Sequence, residues 1–266
     1  MFLTGGSSGI GRETAELFAG NGYTVYAASR NPAKGIVSYP GGGEIRPVTM
    51  DVRDESIVDK VAGEILAESD IGIVVHCAGV GIACAGEDFP ADEVNWLMET
   101  NFTGVLRVNS RFLPHLRMRG GGLCVIIGSI AGMFPIPFQS HYCASKAALD
   151  LYSSTLRMEM RDKGVKVCLL MPGDTKTGFT NARVYAIDDT SPYHDICLRA
   201  VKQMEHDEQN GHSPFKAARA IWKLSLRRAP PARTIVGAGY KLIALLKRLL
   251  PDKSVVFILR AIYMGR

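Results

Sequence analysis

The stretch Phe2-Leu3-Thr4-Gly5-Gly6-Ser7-Ser8-Gly9-Ile10-Gly11 decides the fold, because it reads in turn as the end of a strand, a glycine turn and the start of a helix. The helix continues through Thr14, Ala15, Leu17 and Phe18. Glycine adopts positive φ without steric cost and lets backbone approach a pyrophosphate, whose charge then lies on the helix N-terminus. A glycine-rich turn alone is equally a surface loop, and the segments that follow choose between the two. Only three residues precede Thr4, where a central parallel strand usually has about five or six. The first strand is therefore short, or the protein has residues before it.

Beyond this stretch, strand and helix patterns alternate. Residues 23–28 form a second strand ending at Ser29-Arg30. In dinucleotide-binding folds an acid at this strand end takes the adenosine 2′-hydroxyl, whereas an Arg accommodates a 2′-phosphate. No acid stands here, so Arg30 is either a phosphate ligand or a solvated cation. Residues 45–50 make a third strand closed by Asp51-Val52, and a helix over 55–67 buries Ile57, Val58, Val61, Ile65 and Leu66. A buried strand at 71–76 turns out through Cys77-Ala78-Gly79.

The helix expected over 91–118 carries Asn101, which sits on a polar face or marks a local break before Gly104. Residues 123–127 deliver Ser129 to the carboxyl end of a fifth strand, where ligands bind in open α/β sheets. After a helix over 139–162, a strand over 165–171 leads to Pro172-Gly173-Asp174-Thr175 and Thr177. The alternation predicts an α/β doubly wound parallel sheet of about seven strands with helices on both faces.

A single domain over 1–266 is expected, with its dinucleotide-binding and catalytic core at 1–177. Residues 178–192 lack apolar periodicity and read as a lid. Helices at 194–208 and 213–228 complete a covering segment over 178–232, with Ser213-Pro214 as an N-cap and first-turn proline. Residues 234–236 form a last short strand. A basic, apolar tail follows over 240–266, with a helix to Leu250, a stop at Pro251 and a second helix capped by Ser254.

Tyr142 and Lys146 are four apart in a helical pattern, so their side chains leave one face about 5–6 Å apart at Cβ. A cation about 4 Å from a phenol stabilises the phenolate by up to roughly 4 kcal/mol at an effective dielectric near 20. That predicts a tyrosine tuned into the working range of an acid–base catalyst.

Composition narrows the function classes. Of 266 residues, 47% are hydrophobic, yet no apolar run is long enough to span a membrane. The glycine motif begins too early for a signal peptide, and a cytoplasmic protein is expected. The six cysteines form no C-x-x-C pair and read as structural thiols, and the six histidines show no H-x-x-x-H spacing, so no metal site is expected. Residues 216–266 hold twelve Lys/Arg against Asp252, a charge of +11 that leaves −6 for the rest of a chain whose total is +5. A basic end points to an anionic surface or ligand, and no nucleic acid is expected as partner.

Together these residues resemble the short-chain dehydrogenase/reductase family. Thr4 to Gly11 match its T-G-x-x-x-G-x-G, Tyr142 and Lys146 its Y-x-x-x-K, and Asn101 and Ser129 complete its catalytic tetrad. The resemblance implies that Tyr142 is the general acid when a ketone is reduced, that Ser129 polarises the carbonyl, that Lys146 holds the nicotinamide ribose, and that Asn101 supports a proton relay. It implies NADP(H) as cofactor, held by Gly5, Ser7, Ser8, Gly9, Ile10, Gly11, Ser29, Arg30, Asp51, Val52, Cys77, Ala78, Gly79, Tyr142, Lys146, Pro172, Gly173, Thr175 and Thr177. The family's Asn-Asn-Ala-Gly is His76-Cys77-Ala78-Gly79 here, which removes a side chain that usually steadies this turn.

Within the family the chain is most similar to bacterial hydroxysteroid dehydrogenases, which implies a bulky apolar ketone or alcohol such as a hydroxysteroid or bile acid. A general carbonyl or 3-oxoacyl reductase is the alternative, and a non-catalytic NADP(H) redox sensor is the alternative of another class. Met133, Phe134, Pro135, Ile136, Pro137, Phe138, Phe179 and Tyr185 are the expected substrate lining, or else core or subunit contact. A homodimer or homotetramer through the helices at 91–118 and 139–162 is implied by the resemblance. The tail reads as a helix packed over the pocket or as a weak contact with an anionic membrane surface.

Overall fold

The computed structural model describes residues 1–265. Its chain order is β1 (Phe2–Thr4), α1 (Gly9–Gly20), β2 (Thr24–Ser29), β3 (Val37–Ser38), β4 (Glu44–Thr49), α2 (Glu55–Glu68), β5 (Ile73–His76), β6 (Ile82–Ala83), α3 (Ala91–Met98), α4 (Gly104–Met118), β7 (Gly122–Ile127), α5 (Ser140–Glu159), β8 (Val165–Pro172), β9 (Val184–Tyr185), α6 (His194–Gln209), α7 (Pro214–Ser225), β10 (Arg233–Val236), α8 (Ala238–Lys247) and α9 (Asp252–Met264).

Eight strands form one sheet in the order β10-β8-β7-β5-β1-β2-β4-β3. Every pairing in it is parallel except the β3–β4 hairpin. The α/β doubly wound architecture is the expected one, with one strand more than the sequence indicates. The addition, β3, is two exposed residues with no apolar alternation to reveal them.

β1 is the centre of the sheet, paired with β2 on one side and β5 on the other, and the strand order reverses across it. Three residues suffice because all three side chains are buried and both edges are hydrogen-bonded. Successive β1 residues serve opposite faces. On one, Phe2 stacks on Phe112 of α4 with ring centroids 4.3 Å apart. On the other, Leu3 joins Phe18 of α1, which meets Trp222 of α7 edge-on at 5.0 Å. Each fully buried Leu or Phe contributes about 1.5–3 kcal/mol relative to exposure, so both helical layers are anchored where the strand order reverses.

The helix expected over 91–118 is interrupted: a π-helical turn, Glu99–Thr103, joins α3 to α4. The break reading of Asn101 is therefore the one the fold adopts. Ser213 caps α7 by accepting from the Phe215 N–H, with Pro214 in the first turn, as the sequence indicates. The last helix differs from expectation, since α9 begins at Asp252 directly after Pro251 and Ser254 lies inside it. Residues 178–192 are irregular apart from β9, which pairs with β6 in a small second sheet.

Candidate active site

One continuous cleft of about 840 Å³ runs along the carboxyl ends of the central strands. It starts at the glycine turn. Gly5 has φ +71°, and a Cβ there would lie 2.7 Å from the Ala78 nitrogen, while a Cβ at Gly11 would collide with the Gly5 carbonyl oxygen. Only hydrogen fits at either place. Thr4 steadies the facing turn, its carbonyl accepting from the Cys77 N–H (3.1 Å) and its hydroxyl from the Ala78 N–H (3.2 Å). His76, in the place of the family's first Asn, turns its ring to Asn109 Oδ1 at 2.9 Å.

The Ser8 side chain makes no cap bond at the start of α1, leaving the first backbone N–H groups for a ligand. At the end of β2 the Ser29 hydroxyl is buried without a hydrogen-bond partner, and Arg30 beside it is exposed at the rim. Asp51, at the end of β4, holds Arg53, whose guanidinium keeps the carboxyl below its usual range, with burial opposing and Arg30 adding weakly. Thr177 closes the cradle from above: a Cβ on Gly9 would stand 3.2 Å from its side chain. These groups fit a dinucleotide, with glycine backbone for the pyrophosphate, Ser29 and Arg30 for the ribose end, and Asp51 and Val52 along the adenine.

The side chains expected to be catalytic lie farther along. Ser129 follows β7 and caps a short 3₁₀ turn, accepting from the Ala131 N–H at 3.1 Å. Tyr142 and Lys146 project from α5, with Lys146 Nζ 5.6 Å from the Tyr142 ring centroid. Lys146 Nζ donates to the Ile127 carbonyl at 3.1 Å. Burial lowers its pKa to about 8, opposed by Cys77 alongside. Burial also pushes the Tyr142 phenol well above its usual value, and the Ser129 hydroxyl opposes that rise most strongly. Lys146 is turned toward a backbone carbonyl, and in the chain alone burial sets the direction of the Tyr142 shift. Glu208 and Cys143 add to the rise, and Arg183, paired with Glu208, opposes it least.

Asn101 stands apart from the other site residues. It is fully buried and does not line the cleft. Its Oδ1 accepts from the Val80 N–H at 2.8 Å, and its Nδ2 donates to the Val80 carbonyl at 2.9 Å and the Ser145 hydroxyl at 3.1 Å. The π turn aims it this way, joining the loop after β5 to α5 behind Lys146. Every other expected site residue, from Gly5 to Thr177, lines the cleft.

The covering residues are those sequence reasoning largely missed. The Tyr240 ring lies on Gly173, and its hydroxyl donates to the Asp174 carboxylate while accepting from the Asp174 N–H at 3.1 Å. Arg183 is buried, paired with Glu208 of α6, which also accepts from Thr180 at 2.6 Å. Of the expected substrate lining, Phe134, Ile136 and Phe179 reach the cleft. Met133 packs on the main core and Phe138 on the cluster of Ala83, Cys197 and Val201, while Tyr185 hydrogen-bonds Glu205 on the surface. Apolar residues of α8, α9 and their connection take their place: Ile243, Leu246, Leu250, Val255, Ile258, Leu259 and Ile262 form the far wall.

Comparison with known proteins agrees with this geometry. The family described as short chain dehydrogenase matches residues 1–187. A 3-ketodihydrosphingosine reductase of Bacteroides thetaiotaomicron is 37% identical over 270 residues, covering 100% of this chain and 98% of that protein. Human 17-beta-hydroxysteroid dehydrogenase type 1 is 28% identical over 272 residues, 96% of this chain and 81% of that one. A short chain dehydrogenase from Burkholderia cenocepacia, solved in complex with NADP, superposes with a TM-score of 0.72 at 22% identity, over 99% of this chain and 96% of that one.

Proposed function

The chain belongs to the short-chain dehydrogenase family, and from that premise we propose that it reduces the ketone of a long-chain lipid, of the 3-ketodihydrosphingosine kind, to a secondary alcohol with NADPH. Use of NAD(P)(H) follows from the family and from the cradle described above. The observation that carries the substrate is the shape of the cleft: it passes from the glycine turn, past Ser129 and Tyr142, into a wall of aliphatic side chains from α8 and α9. A chain of methylenes buried there gains about 0.8 kcal/mol for each CH₂ removed from water.

A bound nicotinamide would supply the hydride. Ser129, at the strand end, donates a hydrogen bond to the ketone oxygen, and Tyr142 gives that oxygen its proton as the alcohol forms. Because burial holds the Tyr142 proton tightly in the free chain, the protonated, donating form is the one present at neutral pH. Lys146 would hold the ribose, and its charge stabilises the phenolate left once Tyr142 has given up its proton, which solvent then restores. Asn101 acts through Val80 and Ser145 as the clamp that fixes α5 against the loop after β5. The preference for NADPH is supported by Ser29, whose buried unpartnered hydroxyl suits a 2′-phosphate oxygen, and by Arg30 at the rim.

A hydroxysteroid or bile acid is the second reading, favoured by the 28% identical human steroid enzyme. The two separate by assay with purified chain, NADPH, 3-ketodihydrosphingosine and a panel of ketosteroids, with products identified by mass spectrometry. Turnover of the sphingoid ketone with none of the steroids supports the first reading, and the reverse overturns it. NADPH binding without turnover of any ketone would leave the redox-sensor alternative. Self-association through α4 and α5 belongs to the same proposal, supported by Met118, Leu151 and Met158, each more than 70% exposed on those helices. Six unpaired thiols, four of them buried, support the cytoplasm as the compartment.

A further inference from the structure

The far wall of the cleft is also a surface. Ile243, Leu246, Leu250, Ile258 and Ile262 line the cleft from α8, α9 and the connection between them, yet each is 40–54% exposed. On the same two helices and their connection, Leu242, Leu245, Leu249, Val256 and Phe257 are exposed as well, Leu249 to 75% and Phe257 to 73%. A folded surface rarely leaves so many adjoining aliphatic and aromatic groups in water unless something covers them. Interleaved with them are Lys241, Lys247, Arg248, Lys253 and Arg260 against the single acid Asp252. The remainder of the chain, before residue 216, is net acidic, so positive charge is gathered where the apolar surface is.

We propose that α8 and α9 dock the protein on an anionic phospholipid bilayer, with the exposed aliphatic side chains in the interface and the lysines and arginines at the headgroups, and that the ketone passes from the lipid directly into the cleft between them. The docking stands on the surface alone; the route of entry rests on the lipid substrate proposed above. Charge complementarity selects the bilayer over a second copy of this chain, because two such patches face to face would set like charges together. Interfacial helices combine this apolar face and this basic rim. No helix among the described residues is long and apolar enough to cross a membrane, so the contact is with one leaflet.

The test uses the full chain and vesicles of phosphatidylcholine with or without phosphatidylglycerol, read by co-sedimentation, so that turnover plays no part. Binding to the anionic vesicles at low salt, weakening steeply as salt is added, is expected. The variant Lys241→Gln/Arg248→Gln/Lys253→Gln should lower the partition coefficient on the order of a hundredfold, and Leu249→Gln/Phe257→Gln should lower it on both kinds of vesicle. None of these five residues lines the cleft, so both variants should bind NADPH with unchanged affinity by fluorescence, which verifies their folding. Absence of the wild-type chain from anionic vesicles at low salt would overturn the proposal. So would sedimentation velocity in which the wild type self-associates and Leu249→Gln/Phe257→Gln alone becomes monomeric.

Discussion

Replacement of His76 by Asn should remove a large part of the protein's sensitivity to acid. His76 ends β5 with its ring fully enclosed; one ring nitrogen is 2.9 Å from Asn109 Oδ1 and the other has no partner. Burial lowers its pKa from 6.5 to about 4, with the Asn109 contact acting in the opposite direction. The unfolded chain therefore takes up a proton here near pH 6.5, and the folded chain does not until about pH 4. More protons are bound in the unfolded state across that window, so stability falls as pH drops from 6.5 toward 4 and the loss then levels off. At about 1.36 kcal/mol for each pKa unit, the full loss is about 3 kcal/mol, a substantial part of the 5–15 kcal/mol typical of a folded domain. Urea denaturation of wild type and His76→Asn at a series of pH values isolates the effect, because every other titrating group is common to both. Their free energies of unfolding should differ by an amount that changes by about 3 kcal/mol across the window. Two parallel curves would refute the assignment.

Tyr142→Phe should lower kcat for ketone reduction by about 10²–10⁴-fold while the affinity for NADPH, measured by fluorescence, stays unchanged; near-normal turnover would rule out the phenol as proton donor. Arg30→Asp should shift the ratio of kcat/KM for NADPH over NADH by about ten- to a hundredfold toward NADH, the worth of a charge-assisted contact to phosphate. A wild-type ratio already favouring NADH would remove the basis for it. Arg183→Met should destabilise the fold by about 3–5 kcal/mol by leaving Glu208 buried without its partner, and the double variant Arg183→Met/Glu208→Gln should recover much of that loss in thermal melts.

The nucleotide half of the site was legible because its demands are local. Glycines at positions 5, 9 and 11 announce a backbone that must approach something closely, and a Tyr and a Lys four apart on a helix announce a shared face; neither inference needs the third dimension. The covering residues were invisible for the opposite reason. Arg183 and Glu208 meet across 25 residues and Tyr240 reaches Asp174 across 66, partnerships that no periodicity encodes. Spacing put Lys146 beside Tyr142, but the depth of the cleft, which pushes the phenol up in the chain alone, is not encoded in spacing. β3 escaped because two exposed residues carry no pattern, and a place over the cleft for α8 and α9 is one of the two readings that the tail's apolar spacing allows.

The π turn at Glu99–Thr103 makes the helical path from α3 to α4 one residue longer than its two ends require. An α-helix advances about 100° per residue and a π turn advances less, so the surplus residue is absorbed by local unwinding and the two segments keep their phase. Removing one residue within the turn would leave a plain α-helix with its hydrogen bonds and apolar stripe in place and the side chains of the turn re-aimed. Asn101 would then no longer face Val80. The direction of the Asn101 side chain is thus held by a local bulge that a substitution leaves in place and a single deletion erases.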